Sequence, residues 1–115
     1  VSAAPAPGTR LCALADIPDP GAKGFDFRQG DQRFAGFLVR KDGRVFGYVD
    51  SCPHADWPLA AFGDRYLTRE HDLILCAGHG ALFRIEDGHC IAGPCAGSRL
   101  TPWAVRVEGD QVVVA

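Results

Sequence analysis

Four side chains suited to holding metal stand in two short pairs, Cys52-Pro53-His54 and, twenty-one residues later, Cys76-Ala77-Gly78-His79. Each pair offers one thiol and one imidazole. If the four act together, the fold must set two loops face to face and hold them there. Pro53 fixes one backbone angle in the first loop, and Gly78 and Gly80 let the second turn tightly. The rest of the chain therefore reads as a scaffold for two loops.

That scaffold reads as all-β. With 14 Gly and 8 Pro, turn signals recur between short apolar runs, and no stretch keeps a helical period over three turns. Residues 9–14 form a candidate first strand, and two prolines bar 16–21 from a helix interior. Phe25 and Phe27 alternate with Asp26 and Arg28, the mark of a half-buried strand. Residues 33–40 and 44–49 flank Asp42-Gly43, a strong hairpin signal, and the second of them leads into Cys52. Further strands are expected at 65–67, 73–75, 81–84, 89–91, 103–108 and 111–114. Residues 86–88 and 109–110 are the turns, and 93–97 form a loop. Residues 55–62 and 67–71 each have room for a short helical turn.

A chain of 115 residues suits one domain, and 47% hydrophobic residues can fill a core. Residues 1–8, small and proline-rich, read as a flexible leader, with 9–115 as the domain. The net charge is -2 and the twelve basic residues are scattered, so no nucleic-acid footprint is present. No run approaches the ~18 apolar residues of a membrane span, so no membrane anchor is expected in this chain. Five cysteines, an odd count, fit thiols kept as metal ligands in the cytoplasm better than a secreted disulfide framework.

Two Cys and two His can bind a tetrahedral zinc, giving a structural or interaction domain. Zinc fingers, however, put both Cys in one pair and both His in the other. Here each pair is mixed, which suits a binuclear cluster with Cys52 and Cys76 on one iron and His54 and His79 on the other.

At these motifs the sequence resembles the Rieske ferredoxin family. The resemblance covers roughly the chain after the leader and is strongest over 48–100. It is carried by Cys-Pro-His at 52–54, Cys-x-x-His-Gly at 76–80, Phe83, Asp87-Gly88 and Gly93-Pro94. It implies an antiparallel β-sandwich or barrel base with a small cluster-binding subdomain at about 50–97. It also implies a Rieske [2Fe-2S] cluster held by Cys52, His54, Cys76 and His79, with Gly93-Pro94 in a third loop that covers it. One-electron transfer follows, with the outward imidazole edges of His54 and His79 as the exit.

The chain departs from the family in three ways. The spacer between His54 and Cys76 is long, with the excess expected at 61–70. The respiratory members carry an extra Cys in each cluster loop, and neither loop has one here. Those members also place Ser after His-Gly, where this chain has Ala81. Hydrogen bonds to cluster sulfur raise the potential, so losing a hydroxyl lowers it; roughly −150 mV to near zero is expected. The potential should fall as pH rises through the oxidised-state histidine pKa.

Other residues admit plainer readings. Cys90 and Cys95 are a disulfide or redox pair on one reading and two small buried residues on the simpler one. Cys12 and Trp103 suit packing, and His71, between Glu70 and Asp72, suits a solvated turn. Trp57 and Leu59 fit either a greasy collar around the site or its core. Asp64, Glu70, Asp72 and Glu86 form a mildly acidic set, a solvated face or a dock for a basic reductase. The resemblance implies a carrier between a reductase and a terminal oxygenase, not an enzyme in itself. A mononuclear iron site would need two more His and a carboxylate, and His71 and His89 form no such pattern. Nitrite reductase subunits of this kind often lack the ligands, and here all four are present.

Overall fold

A computed structural model of the chain describes residues 4–51, 59, 66–76 and 80–115. Among the described residues, nine strands form three antiparallel sheets of three strands each.

The longest sheet follows directly from local sequence. Strands β2 (Gly21–Gln29), β3 (Gln32–Lys41) and β4 (Arg44–Val49) lie in chain order. The β3–β4 turn is Asp42-Gly43, with Lys41 opposite Arg44 and both turn residues at positive φ (54° and 77°). That geometry matches strand twist, and only Gly, Asn or Asp adopt it readily. Asp19 anchors the hairpin from outside, accepting the Asp42 and Gly43 N–H groups at 3.0 and 2.9 Å.

The second sheet joins the two ends of the chain, with β9 (Gln111–Val114) between β1 (Arg10–Ala13) and β8 (Val105–Glu108). Gly8 and Val114 extend this pairing, since the Gly8 N–H donates to Val114 O at 2.7 Å. Trp103 lies just before β8 and donates its N–H to Gly47 O at 2.9 Å, tying this sheet to β4.

The third sheet is made of short strands: β5 (Leu73–Cys76), β6 (Ala81–Arg84) and β7 (Cys90–Ala92). Both pairings, β5 with β6 and β6 with β7, are antiparallel, with a register irregularity between β6 and β7.

Period-two alternation along β3 divides the interior into two cores. Leu38 points to one side, where it joins Cys12, Ile17, Val112, Val114 and Trp103. The indole of Trp103 meets Phe25, Phe27 and Phe34 edge-on, with centroids 5.1–6.3 Å apart. Phe37 and Val39 point to the other side, into a core shared with Tyr48, Tyr66 and the third sheet.

Three expectations are corrected in detail. Residues 66–67 give a single bridge, Leu67 to Ile74, not a strand; Arg65 lies outside the described residues. The helical turn allowed at 67–71 is a reverse turn closed by His71 N–H to Thr68 O at 2.9 Å, and His71 at φ 59° stops any helix there. The first strand ends at Ala13, because Asp16 accepts the Ala13 N–H and winds residues 14–16 into a 3-10 turn. The expectation for 55–62 lies outside the described residues, apart from Leu59. No described helix is long and apolar enough to cross a membrane.

Candidate metal centre

Of the four expected ligands, Cys76 lies among the described residues; Cys52, His54 and His79 lie outside them. Cys76 is the last residue of β5 and pairs with Ala81, the first of β6. His79 falls in sequence between these two strands and lies outside the described residues. The connection is closed by Gly80 N–H to Cys76 O at 2.8 Å. Alternation places Ile74 and Cys76 on one face of the sheet with Ala81 and Phe83, and all four are fully buried.

The first loop is braced at both ends by one carboxylate. Asp50, two residues before Cys52, sends its N–H to Ala35 O at 2.9 Å, continuing the β3–β4 pairing. Its Oδ1 accepts the Leu59 N–H at 2.8 Å, and its Oδ2 accepts the Tyr66 hydroxyl at 3.0 Å. Asp50 thus holds both Leu59 and Tyr66 against the end of β4. Leu59 is fully buried in the same core as Cys76, as its reading as site core expects. Tyr66 stacks on Phe37 with centroids 4.3 Å apart, which fixes the chain on its way back to β5. Trp57, the other half of the collar, lies outside the described residues.

A third segment sits against the second loop. Gly93 has φ +100°, and a Cβ there would meet Ala81 Cα at 2.7 Å. Only a glycine lets the backbone approach this closely. The 93–97 turn is thereby seated on the residue that leaves the His79 loop.

Tyr48 and Asp87 fix the far end of the third sheet. The Tyr48 hydroxyl donates to Ile85 O at 2.5 Å, and its pKa is pushed up to about 12, by burial first and then by Asp87 and Glu86. Asp87 accepts from Arg84 and from the His89 N–H, and Arg84 above all holds its carboxyl well below the usual range.

A family model described as Rieske [2Fe-2S] domain matches residues 9–114. The chain belongs to the Rieske [2Fe-2S] domain family. This Rieske domain is 33% identical, over 106 residues, to the ferredoxin component of biphenyl 2,3-dioxygenase from Rhodococcus jostii (strain RHA1), covering 92% of this chain and 90% of the relative. Among solved structures it is similar to the ferredoxin of carbazole 1,9a-dioxygenase from Nocardioides aromaticivorans IC177. There the TM-score is 0.74 at 24% identity, covering 96% of this chain and 98% of that one. It is also similar to the Sphingomonas yanoikuyae B1 ferredoxin, at TM-score 0.68 and 25% identity, covering 93% and 96%.

The cofactor of such a domain is a [2Fe-2S] cluster, and the zinc reading of the same residues falls with that membership. The described residues fit it. Cys76 presents a thiol, enclosed in an apolar core, at the mouth of a four-residue loop. Gly93 packs its backbone closely against Ala81, the ladder partner of Cys76. Sulfur donors in such a low-dielectric enclosure suit a cluster whose potential depends on restricted water.

Sequence reasoning missed Asp50, Tyr48 and Tyr66. The signal for Asp50 was its place, an acidic residue at the end of a strand just before a ligand loop. Of the expected acidic set, Glu70 is exposed. Glu86 is paired with Lys41 at 3.2 Å and Asp72 accepts from Thr68; Asp64 lies outside the described residues.

Proposed function

We propose that this Rieske domain is a one-electron carrier that accepts electrons from a reductase and delivers them to a terminal oxygenase. Cys52 and Cys76 would hold one iron of the cluster and His54 and His79 the other. The observation that carries this reading is the 33% identity, across 92% of the chain, to a protein named as the ferredoxin component of an aromatic-ring dioxygenase. The cluster, when bound, supplies the one-electron oxidation and reduction.

The chain's own residues do the rest. The β5–β6 pairing fixes Cys76 against Ala81, and Asp50, two residues before Cys52, holds Leu59 through its backbone N–H. The core of Leu59, Tyr66 and Phe83 excludes water from the protein side. Low reorganisation on electron transfer follows from that rigidity. Residues 9–115 act as one domain with 50–97 as its cluster-binding part. Support comes from the family match over 9–114 and from the shared face of β3. A cytoplasmic location accords with an odd set of five cysteines, two of them assigned to metal.

EPR of the dithionite-reduced protein tests the reading, together with iron and acid-labile sulfide analysis. A rhombic signal with an average g below that of all-Cys clusters is expected, and Cys76→Ser should abolish it. An iron-replete, sulfide-free sample without this signal would sink the proposal. Reduced protein that is not reoxidised by any aromatic-ring oxygenase component would remove the partner half alone.

A further inference from the structure

The structure brings Cys90 and Cys95 together in a way the metal centre does not use. Cys90 opens β7, and Cys95 lies in the turn that follows it. Their sulfurs are 3.1 Å apart, and both residues are buried. The backbone already clamps the pair, through Cys90 N–H to Ser98 O at 2.8 Å, Gly97 N–H to Cys90 O at 3.3 Å and Ser98 N–H to Cys95 O at 2.9 Å. A bonded pair has its sulfurs about 2.05 Å apart, so closing the gap needs a shift of roughly 1 Å, within the reach of side-chain rotation. The cover over the pair is thin, since Pro94 and Ala96 on either side of Cys95 are exposed. The Cys90 thiol also lies 3.2 Å from Ala92 O.

We propose that Cys90 and Cys95 are a thiol-oxidation site, converted to a disulfide by exchange with low-molecular-weight disulfides of the glutathione class. Cys95, on the turn, attacks the reagent as its thiolate, giving a mixed disulfide and one released thiol. Cys90 then attacks the Cys95 sulfur and releases the second thiol. The reagent's S–S bond is broken and a protein S–S bond forms. Two electrons pass from the protein sulfurs to the reagent, and the two protons leave on the released thiols.

The bond would tie the start of β7 to the 93–97 turn, and the Gly93 backbone of that turn lies against Ala81, the ladder partner of Cys76. Oxidation therefore stiffens the segment beside the metal loop. Only this consequence rests on the proposed function; disulfide formation does not.

Trypsin isolates the pair, because residues 85–99 lie between Arg84 and Arg99 with no Lys or Arg inside and no other cysteine. The cluster-loaded protein is equilibrated across glutathione redox buffers, quenched with an alkylating reagent, digested and weighed. As the buffer becomes oxidising, the 85–99 peptide should lose both alkyl groups and become lighter by two hydrogens, with no glutathione attached. Two alkyl groups retained in fully oxidised glutathione, or a lasting glutathione adduct, would overturn the site. Hydrogen exchange at 93–97 should slow on oxidation in the wild type but not in Cys95→Ser, with Cys90→Ser as the second control. Unchanged exchange in the oxidised wild type would overturn the stiffening and leave the site standing. An EPR-silent protein that still forms the disulfide would count against the electron-carrier reading alone.

Discussion

The sheet of β2, β3 and β4 and the sheet of β5, β6 and β7 contain the same number of strands but are held by different means. The first has ladders of nine and six paired residues and aromatic rings packed on Trp103. The second has strands of four, four and three residues, an irregular register and a core that includes three cysteines, Cys76, Cys90 and Cys95. At one point, Gly93 against Ala81, the absence of a side chain lets two backbones approach closely. The contrast teaches that the base carries the fold while the short sheet carries the site and depends on what the site holds.

Removing the metal should have the largest effect. Metal binding contributes folding free energy, so chelation at low pH should cost amide protection at 73–76 and 81–92 by more than about a hundredfold. Residues 21–49 should keep theirs. Hydrogen exchange with fragment-level readout checks this, and simultaneous loss in both regions would break the comparison.

A pair of glycine substitutions comes next. Gly93→Ala forces a Cβ against the Ala81 backbone at a positive φ, and about 3 kcal/mol of destabilisation is expected in urea melts of the loaded protein. Gly36→Ala places a Cβ 2.6 Å from the Trp103 ring, which is a side chain and can move. A cost of about 2 kcal/mol is expected there, with a changed near-ultraviolet tryptophan signal and an unaltered EPR spectrum. If Gly36→Ala disturbed the EPR signal as much as Gly93→Ala, the two regions would not be separable.

Tyr48→Phe should have a smaller effect, since it removes the bond from β4 to Ile85 O that joins the two regions. About 1 kcal/mol is expected. The folded protein holds the Tyr48 proton up to about pH 12, whereas an unfolded tyrosine releases it near ~10. Stability from this group is therefore full below the unfolded value and is lost as pH rises through the folded one. Melts at alkaline pH should show that decline in the wild type and lack it in Tyr48→Phe.

Asp87→Asn should be the mildest. Arg84 and the His89 N–H favour the Asp87 carboxylate in the folded state, so its contribution is present above the unfolded carboxylate pKa and fades as pH falls. The substitution should flatten the acid side of the stability curve and leave neutral-pH melting nearly unchanged. An acid limb identical to wild type would show that the exposed Arg84–Asp87 pair contributes nothing.

Most of the fold was legible because its signals are local. Alternation at Phe25 and Phe27, the Asp42-Gly43 turn and the apolar run into Cys76 each depend on neighbours in sequence. The strand expected at 65–67 failed for a different reason: its partner is a single residue of β5, and pairing length is a tertiary property. Helix at 67–71 was admissible by composition and was decided by the backbone at His71, where the chain must turn back to meet β5.

The sequence by itself determined the chemistry: two mixed Cys/His pairs, all-β punctuation, and a glycine at 93 and an alanine at 81 where the site needs little bulk. Only the tertiary structure showed that Asp50 reaches across to Leu59 and Tyr66, that Gly93 sits on Ala81, and that Cys90 and Cys95 lie within 3.1 Å. Such contacts depend on how strands stack and where turns end, and no local spacing encodes them. The Cys52–His79 stretch offers the proposed donor set, while the β3–β4 hairpin sets where the chain leaves for Cys52 and Gly93 packs against Ala81, the partner of Cys76.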